Sequence, residues 1–216
     1  MKVKAAIFDI DKTITTKDTF YLFFKFLPIG FRPFTYSKLI YLFIKTRLFK
    51  TDRIVVKKTV LELLNGLDEI QSRELCIAFV KSILQDVISN EAIEVLSKYR
   101  SKGYKILLIS ASLEVYLKHL DVYLDYDELI CTKTKVVSSK NFIDGKNCYS
   151  DEKVVRLNDY LKSENIDLDF ENSHFYTDHH SDLPLLYLVG HPHVVNGNAK
   201  LLDLAKLNNW PILNWR

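Results

Sequence analysis

Residues Val3 to Thr15 constrain this chain more than any others. The apolar run from Val3 to Phe8 reads as a buried strand, and it ends in Asp9-Ile10-Asp11-Lys12-Thr13. Carboxylates are almost never buried unless they are paired. Two of them, one residue apart at the C-terminal end of a buried strand, stand where open α/β sheets place their ligands. They repel each other unless a cation or a proton lies between them. The pattern predicts a metal-assisted site in which one carboxylate is the nucleophile and the other moves protons.

The rest of the chain narrows the setting. Its 216 residues suffice for one large domain or two small ones with a real hydrophobic core. The net charge is +3 and the lysines are scattered, which argues against a nucleic-acid partner. Cys76, Cys131 and Cys148 are odd in number and lack metal-ligand spacing. They predict free thiols in a reducing, cytoplasmic compartment. The N-terminus runs straight into a strand, so no signal peptide is expected.

From about 17 to 88 the pattern is helical. Phe20 to Phe49 holds eleven aromatic residues, in blocks at Phe20–Leu27 and Leu39–Ile44 separated by the loop formers Pro28, Gly30 and Pro33. Neither block reaches the roughly 18–20 apolar residues of a membrane span. Lys25, Arg32, Lys38 and Lys45 interrupt or flank them. Two readings stand: a small helical bundle, or peripheral contact with the inner face of a membrane through 20–49. Thr51-Asp52 is expected to cap a helix running to Asn65, with Gly66 as its stop. A further helix over 68–88 carries Leu75, Phe79, Ile83 and Val87 at helical spacing.

After Asn90, taken as the next cap, helix and strand alternate. Lys105–Ile109 is expected as a strand ending at Ser110-Ala111-Ser112. A helix follows over 113–122, then a strand at Glu128–Thr132. A small hairpin is expected over 133–147, turning at Asp144-Gly145. Ser150 or Asp151 caps a helix to about Lys162. His174–Thr177 is a strand ending at Asp178-His179-His180-Ser181-Asp182. Leu183–Leu188 is a short helix with Pro184 in its first turn, and His193–Val195 is the last core strand. Alternation over 90–210 predicts a parallel sheet with helices on both faces, and the strand before the helical insert must join it.

Three strand ends and one helix start therefore carry chemistry. They hold Asp9, Asp11 and Thr13; Ser110 with Ala111; Asp178 and Asp182; and Lys153. Parallel strands bring their C-terminal ends to one edge, so these groups can converge. Together they suit phosphoryl transfer, in which a metal, a lysine and hydroxyl or backbone donors neutralise the phosphoryl oxygens. Mg²⁺ prefers a few carboxylates plus the substrate's own oxygens.

In this order the residues resemble the four motifs of the haloacid dehalogenase (HAD) superfamily, in its subfamily IB branch that includes phosphoserine phosphatases. Asp9-Ile10-Asp11-Lys12-Thr13 is similar to the first motif, Ser110 to the second, Lys153 to the third, and Asp178 with Asp182 to the fourth. The insert over 17–88 resembles the branch's four-helix cap, and 1–16 with 89–216 its Rossmann-like α/β core. The segment from Asp182 through Trp210-Pro211 resembles small bacterial hydrolases of that branch. The resemblance implies Asp9 as the nucleophile that forms an aspartyl-phosphate, and Asp11 as the group that protonates the leaving oxygen and activates water. Thr13 and Ser110 would bind the phosphoryl group and Lys153 would balance its charge. Mg²⁺ would rest on Asp9, Asp178 and the Asp11 backbone carbonyl, with Asp182 supporting it.

Some features leave alternatives open. Asp11-Lys12-Thr13-Ile14-Thr15 is similar to the phosphorylation motif of P-type ATPases, with Asp11 as nucleophile. The glycine of that motif is missing and the chain is far too short for a pump. Asp18 stands where phosphoserine phosphatases carry a glutamate that meets the substrate's amino group, but their carboxylate-binding arginine has no counterpart at 57–60. Lysine there is a point charge without the bidentate fork. The aromatic insert resembles the caps of relatives in the branch that dephosphorylate lipid head groups, and the resemblance implies a small phosphorylated substrate with an apolar part, although core packing accounts for the same residues. His179 and His180 fit a polar loop at the site mouth, and Tyr149 is placed to contact substrate. A phosphotransferase, or a phospholigand-binding protein without turnover, is the alternative of another class.

Overall fold

The computed structural model describes residues 2–27, 37–42, 44 and 53–216. The loop expected at Pro28, Gly30 and Pro33, the basic residues Arg32 and Lys45, and the cap at Thr51-Asp52 lie outside the described residues. So does the side chain of Ile83.

Six parallel strands form one sheet in the order β3-β2-β1-β6-β7-β8. They are β1 (Ala5–Asp9), β2 (Lys105–Leu113), β3 (Glu128–Thr132), β6 (His174–Thr177), β7 (His191–Val195) and β8 (Ile212–Leu213). Every residue of β1 is buried, because it lies between β2 and β6 and both faces of the sheet are covered. That is why its sequence is an unbroken apolar run rather than an alternating one. Ala6, Phe8, Ile106, Leu108 and Tyr176 point to one face, against Leu96 and Tyr99 of the helix Asn90–Ser101. Ala5, Ile7, Leu107, Ile109 and Phe175 point to the other, against the helices Asp151–Ser163 and Ala199–Leu207.

Between β1 and Asn90 the described residues hold helices and no strand. Thr19–Phe26 buries Phe20, Phe23 and Phe24, and Leu27 just beyond it is buried too. The spacing i, i+3, i+4, i+7 is one helical face. Phe23 meets Phe79 at 5.1 Å and Tyr116 at 4.5 Å between ring centroids. The first aromatic block is thus core packing. The second differs: Leu39 is buried, while Ile40, Tyr41 and Ile44 are exposed. The helix Ile54–Glu62 follows, then Glu69–Phe79, which opens on a capping box between Asp68 and Gln71.

Several local expectations change. Ser89, not Asn90, caps the helix Asn90–Ser101, its hydroxyl accepting from the Ala92 N–H at 3.2 Å. The helix expected over 113–122 is the single turn Glu114–Leu117 with a second tight turn at Leu120–Val122. β2 does not end at Ile109 but continues to Leu113, with a register shift against β3 between Ile109 and Leu113. Such an irregularity bends the strand and re-aims side chains. The hairpin pairs β4 (Thr134–Val137) with β5 (Lys140–Ile143). It turns at Ser138-Ser139, both in the left-handed region at φ 49° and 57°. A two-residue turn of this hand matches the twist of the strands, whereas Asp144-Gly145 falls in the loop beyond.

Candidate active site

The site begins where β1 stops. After Asp9 the chain makes one irregular turn, Ile10–Ile14, in which Asp11 stays extended and Lys12 takes a left-handed φ of 61°. The Thr15 N–H and hydroxyl both donate to the Ile10 carbonyl at 2.9 Å and close the turn. Thr13 is buried inside it, and its hydroxyl has no hydrogen-bond partner among the described residues. A buried hydroxyl left unpaired costs about 1–3 kcal/mol, so an acceptor that enters the site would be favoured there.

β1 and β6 are neighbours, and the helix Asp151–Ser163, packed against β2, β3 and the helix Leu183–Leu186, brings Lys153 to their ends, so Asp9, Asp178, Asp182 and Lys153 meet. The Lys153 ammonium lies 2.7 Å from Asp9 Oδ1 and 2.7 Å from Asp182 Oδ2. All four groups are buried, Lys153 and Asp182 at 2% exposure, Asp9 at 6% and Asp178 at 8%. Thr177 Oγ1 donates to Asp182 Oδ2 at 2.7 Å, and Ser181 Oγ to Asp182 Oδ1 at 3.3 Å. Asp182 therefore spends its oxygens on aiming Lys153. Burial alone would lower the Lys153 pKa, but Asp182 and Asp9 outweigh it and hold the ammonium well above its ordinary value. Asp9 is pushed well up, by burial first, with Asp182, Asp178 and Asp11 adding to it against Lys153. Asp178 is pushed up to about 7 by burial and then by Asp182. Among the described residues one buried lysine, Lys153, faces three buried carboxylates, with the exposed Lys12 acting on Asp178, and the cluster is short of positive charge.

Asp11 is held differently. Oδ1 accepts from the Thr19 N–H and hydroxyl, both at 2.6 Å. Oδ2 accepts from Ser110 Oγ at 3.1 Å and Ser112 Oγ at 2.6 Å. Tyr116 lies 3.0 Å from the Thr19 hydroxyl behind this set. The sequence pointed to Ser110. Ser112 and Thr19 were missed, although the period of two along β2 and the neighbourhood of Asp18 carry the signal.

Among the other expected residues, Asp18 caps the helix Thr19–Phe26 through the Tyr21 N–H at 2.9 Å. Its pKa is raised by burial and then by Asp11, while Arg53 and Lys12 oppose this, so Asp18 faces the same space. Ala111 turns its carbonyl to Lys57 Nζ at 2.5 Å. Lys57, passed over as a poor substitute for arginine, is 4% exposed. His179 bonds Ser181 through Nδ1 at 2.9 Å and His180 bonds Asn198 at 3.1 Å. Burial, then His180, push His179 down to about 4. The pair is built into the loop. Tyr149 is exposed. Burial pushes the Cys148 thiol up to about 11, far from a reactive thiolate.

Among the described residues, no three His, Cys, Asp or Glu side chains form a group that could hold a metal by themselves. Mg²⁺ does not require one, since it takes one or two carboxylates and completes its shell with water and substrate phosphate. The hard oxygens of Asp9 and Asp178, in a cluster deficient in positive charge, fit that ion.

A model of the haloacid dehalogenase-like hydrolase family matches residues 6–187. A Mycobacterium tuberculosis (strain H37Rv) protein named "Probable phosphatase" is 27% identical over 219 residues, covering 98% of this chain and 75% of that one. A solved structure of a Bordetella pertussis Tohama I protein of unknown function superposes with a TM-score of 0.89 at 20% identity, covering 99% of both chains. A structure titled as the phospho-aspartyl intermediate analogue of phosphoserine phosphatase gives a TM-score of 0.66 at 16% identity, covering 99% of this chain and 94% of that one. At these identities the two structures establish the fold.

Proposed function

The chain belongs to the haloacid dehalogenase-like hydrolase family, and from that premise we propose that it is a Mg²⁺-dependent phosphomonoester hydrolase working through an aspartyl-phosphate on Asp9. The observation that carries the reading is the convergence of the buried Asp9–Lys153–Asp182 ion set with the unpaired Thr13 hydroxyl at the end of β1. Asp9 Oδ1 is fixed by Lys153, which leaves Oδ2 to attack phosphorus in line with the leaving oxygen. Thr13 donates to a phosphoryl oxygen, Ser110 keeps its one proton on Asp11 Oδ2, and Lys153 offsets the charge that builds on the phosphoryl group. Asp11 gives its proton to the leaving oxygen and takes one from the water that cleaves the acyl phosphate. Asp9 and Asp178 would hold Mg²⁺, which neutralises phosphoryl charge and orients the group. The names borne by the Mycobacterium relative and by phosphoserine phosphatase agree with this chemistry. Hydrolysis of a generic aryl phosphate with Mg²⁺, abolished by EDTA, tests it. Binding of phosphate without turnover would favour a binding protein instead, and phosphoryl transfer to an added alcohol a phosphotransferase.

The metal has a readout independent of turnover. Burial and Asp182 push Asp178 up to about 7 in the fold, from 3.8 for an ordinary aspartate, so folding favours its protonated form. The stability this group contributes is lost as pH rises from about 4 through 7. Above that range the carboxylate is ionised and ready for a cation. Millimolar Mg²⁺ is therefore expected to raise the thermal midpoint more at pH 8 than at pH 6, where it must displace a proton. An equal shift, or none, removes Asp178 from the metal site.

The residues 17–88 would form the cap that selects the substrate, a small phosphorylated metabolite or a lipid head group, with phosphoserine as the alternative. One observation favours a lipid-linked substrate. From Thr19 to Thr51 the chain has no Asp or Glu and six Lys or Arg, while Ile40, Tyr41 and Ile44 stay exposed. Basic residues beside exposed apolar ones suit the surface of an anionic membrane. No helix among the described residues is long and apolar enough to cross one. The protein is expected to co-sediment with phosphatidylglycerol vesicles and to lose that binding in an Ile40→Glu, Ile44→Glu variant. Sedimentation unaffected by both changes would assign this face to something else.

A further inference from the structure

Lys57 is the buried cation that the chemistry above leaves unused. It stands on the helix Ile54–Glu62 and donates to the Ala111 carbonyl at 2.5 Å and to Asn147 Oδ1 at 2.6 Å. Thr132 Oγ1 lies 2.6 and 3.0 Å from the same two acceptors and donates to one of them. A buried ammonium on neutral acceptors costs more than one on a carboxylate, so its placement calls for a compensating role.

The acceptor it chooses supplies one. The amide that carries the Ala111 carbonyl continues as the Ser112 N–H, which donates to Ser110 Oγ at 2.9 Å. Ser110 Oγ in turn donates to Asp11 Oδ2 at 3.1 Å. A single hydrogen-bonded path thus runs from the Lys57 ammonium, through one peptide group and one hydroxyl, to Asp11. Each bond in such a chain polarises the next, by about 10–30% per bond in a buried setting. We propose that Lys57 is a positioning residue for Asp11: through the Ala111–Ser112 amide and the Ser110 hydroxyl, it holds that carboxyl where it can transfer a proton to and from the reacting oxygens. It also ties the helical insert to the end of β2, so proton transfer becomes competent when the insert is seated. The inference rests on the reading of Asp11 as the proton-moving group.

The groups that face Lys57 set when its charge is present. Asp11, Asp18 and Cys148 favour the cation, Arg53 opposes it, and burial outweighs them all, leaving Lys57 at about 8. The cation exists below that pH and is lost above it. The test is steady-state kinetics of the full chain on a generic aryl phosphate with Mg²⁺, from pH 6.5 to 9.5, for wild type, Lys57→Met and Lys57→Arg. Lys57→Met is expected to fold, with KM within about threefold and kcat lowered about 10–100-fold, at or below the lower end of what an acid–base group itself contributes. Wild type should lose kcat as pH rises through 8, and Lys57→Arg, which keeps its charge, should not. A kcat for Lys57→Met within twofold of wild type overturns the proposal. So does a wild-type profile flat through pH 9.5, or an alkaline loss unchanged in Lys57→Arg. If Lys57→Met does not fold, the two profiles decide. An inactive wild type defeats the hydrolase reading and this one with it, whereas an active wild type indifferent to Lys57 defeats only this one.

Discussion

Lys153→Met is expected to lose both turnover and much of the protein's stability. Among the described residues the lysine is the one cation in direct contact with Asp9 and Asp182, at 2.7 Å from each, and all three side chains are buried. Removing one partner of a buried ion pair leaves the other uncompensated, at a cost of about 3–5 kcal/mol. Here two carboxylates lose their partner at once, with Asp178 already close by. The sign of the pH dependence follows from Asp9, whose folded pKa lies well above its ordinary value through burial and its acidic neighbours. The folded state therefore binds more protons than the unfolded one, and the variant should gain stability as pH falls from 8 to 6. Urea unfolding at the two pH values checks this. A variant as stable as wild type at pH 8 would mean that the ion set contributes nothing to the fold.

Asp9→Asn separates chemistry from stability. The amide keeps the shape of the side chain, removes one of three crowded negative charges, and leaves Lys153 paired with Asp182. Its thermal midpoint at pH 8 is expected to equal or exceed that of wild type. Turnover of an aryl phosphate should fall by about 10⁴-fold or more, as when an enzymatic nucleophile is removed. A stable protein with residual activity within tenfold of wild type would take the nucleophile's role away from Asp9.

The two variants bear on the part of the molecule that was legible from sequence. The run Val3 to Phe8 is apolar at every second and every adjacent position apart from Lys4, and only a strand covered on both faces needs that pattern, so the place of β1 inside a parallel sheet followed. Strand ends then located Ser110, Asp178 and Asp182, and a helix start located Lys153. What was not legible depends on packing between distant segments. The irregularity that carries β2 past Ile109 to Leu113 is set by its pairing with β3, which no periodicity within β2 records. Ser138-Ser139 displaced Asp144-Gly145 as the hairpin turn because strand register, not local turn preference, decided which pair would sit between β4 and β5. Lys57 was the largest omission. It was weighed only against a missing arginine, and its burial depends on the Ala111 carbonyl and Asn147, 54 and 90 residues away. Asp182, expected to support the metal, turns back onto Thr177 and Lys153, partners that only the fold brings together.

The covalent step is the centre of this account, and it can be observed directly. Rapid acid quenching of wild-type protein with a phosphate-labelled aryl substrate and Mg²⁺, followed by peptide mapping, reads which side chain carries the phosphoryl group. The expected result is a hydroxylamine-sensitive label on Asp9, absent from Asp9→Asn. Label on Asp11, or turnover with a rapid burst of product and no label on Asp9, would contradict it.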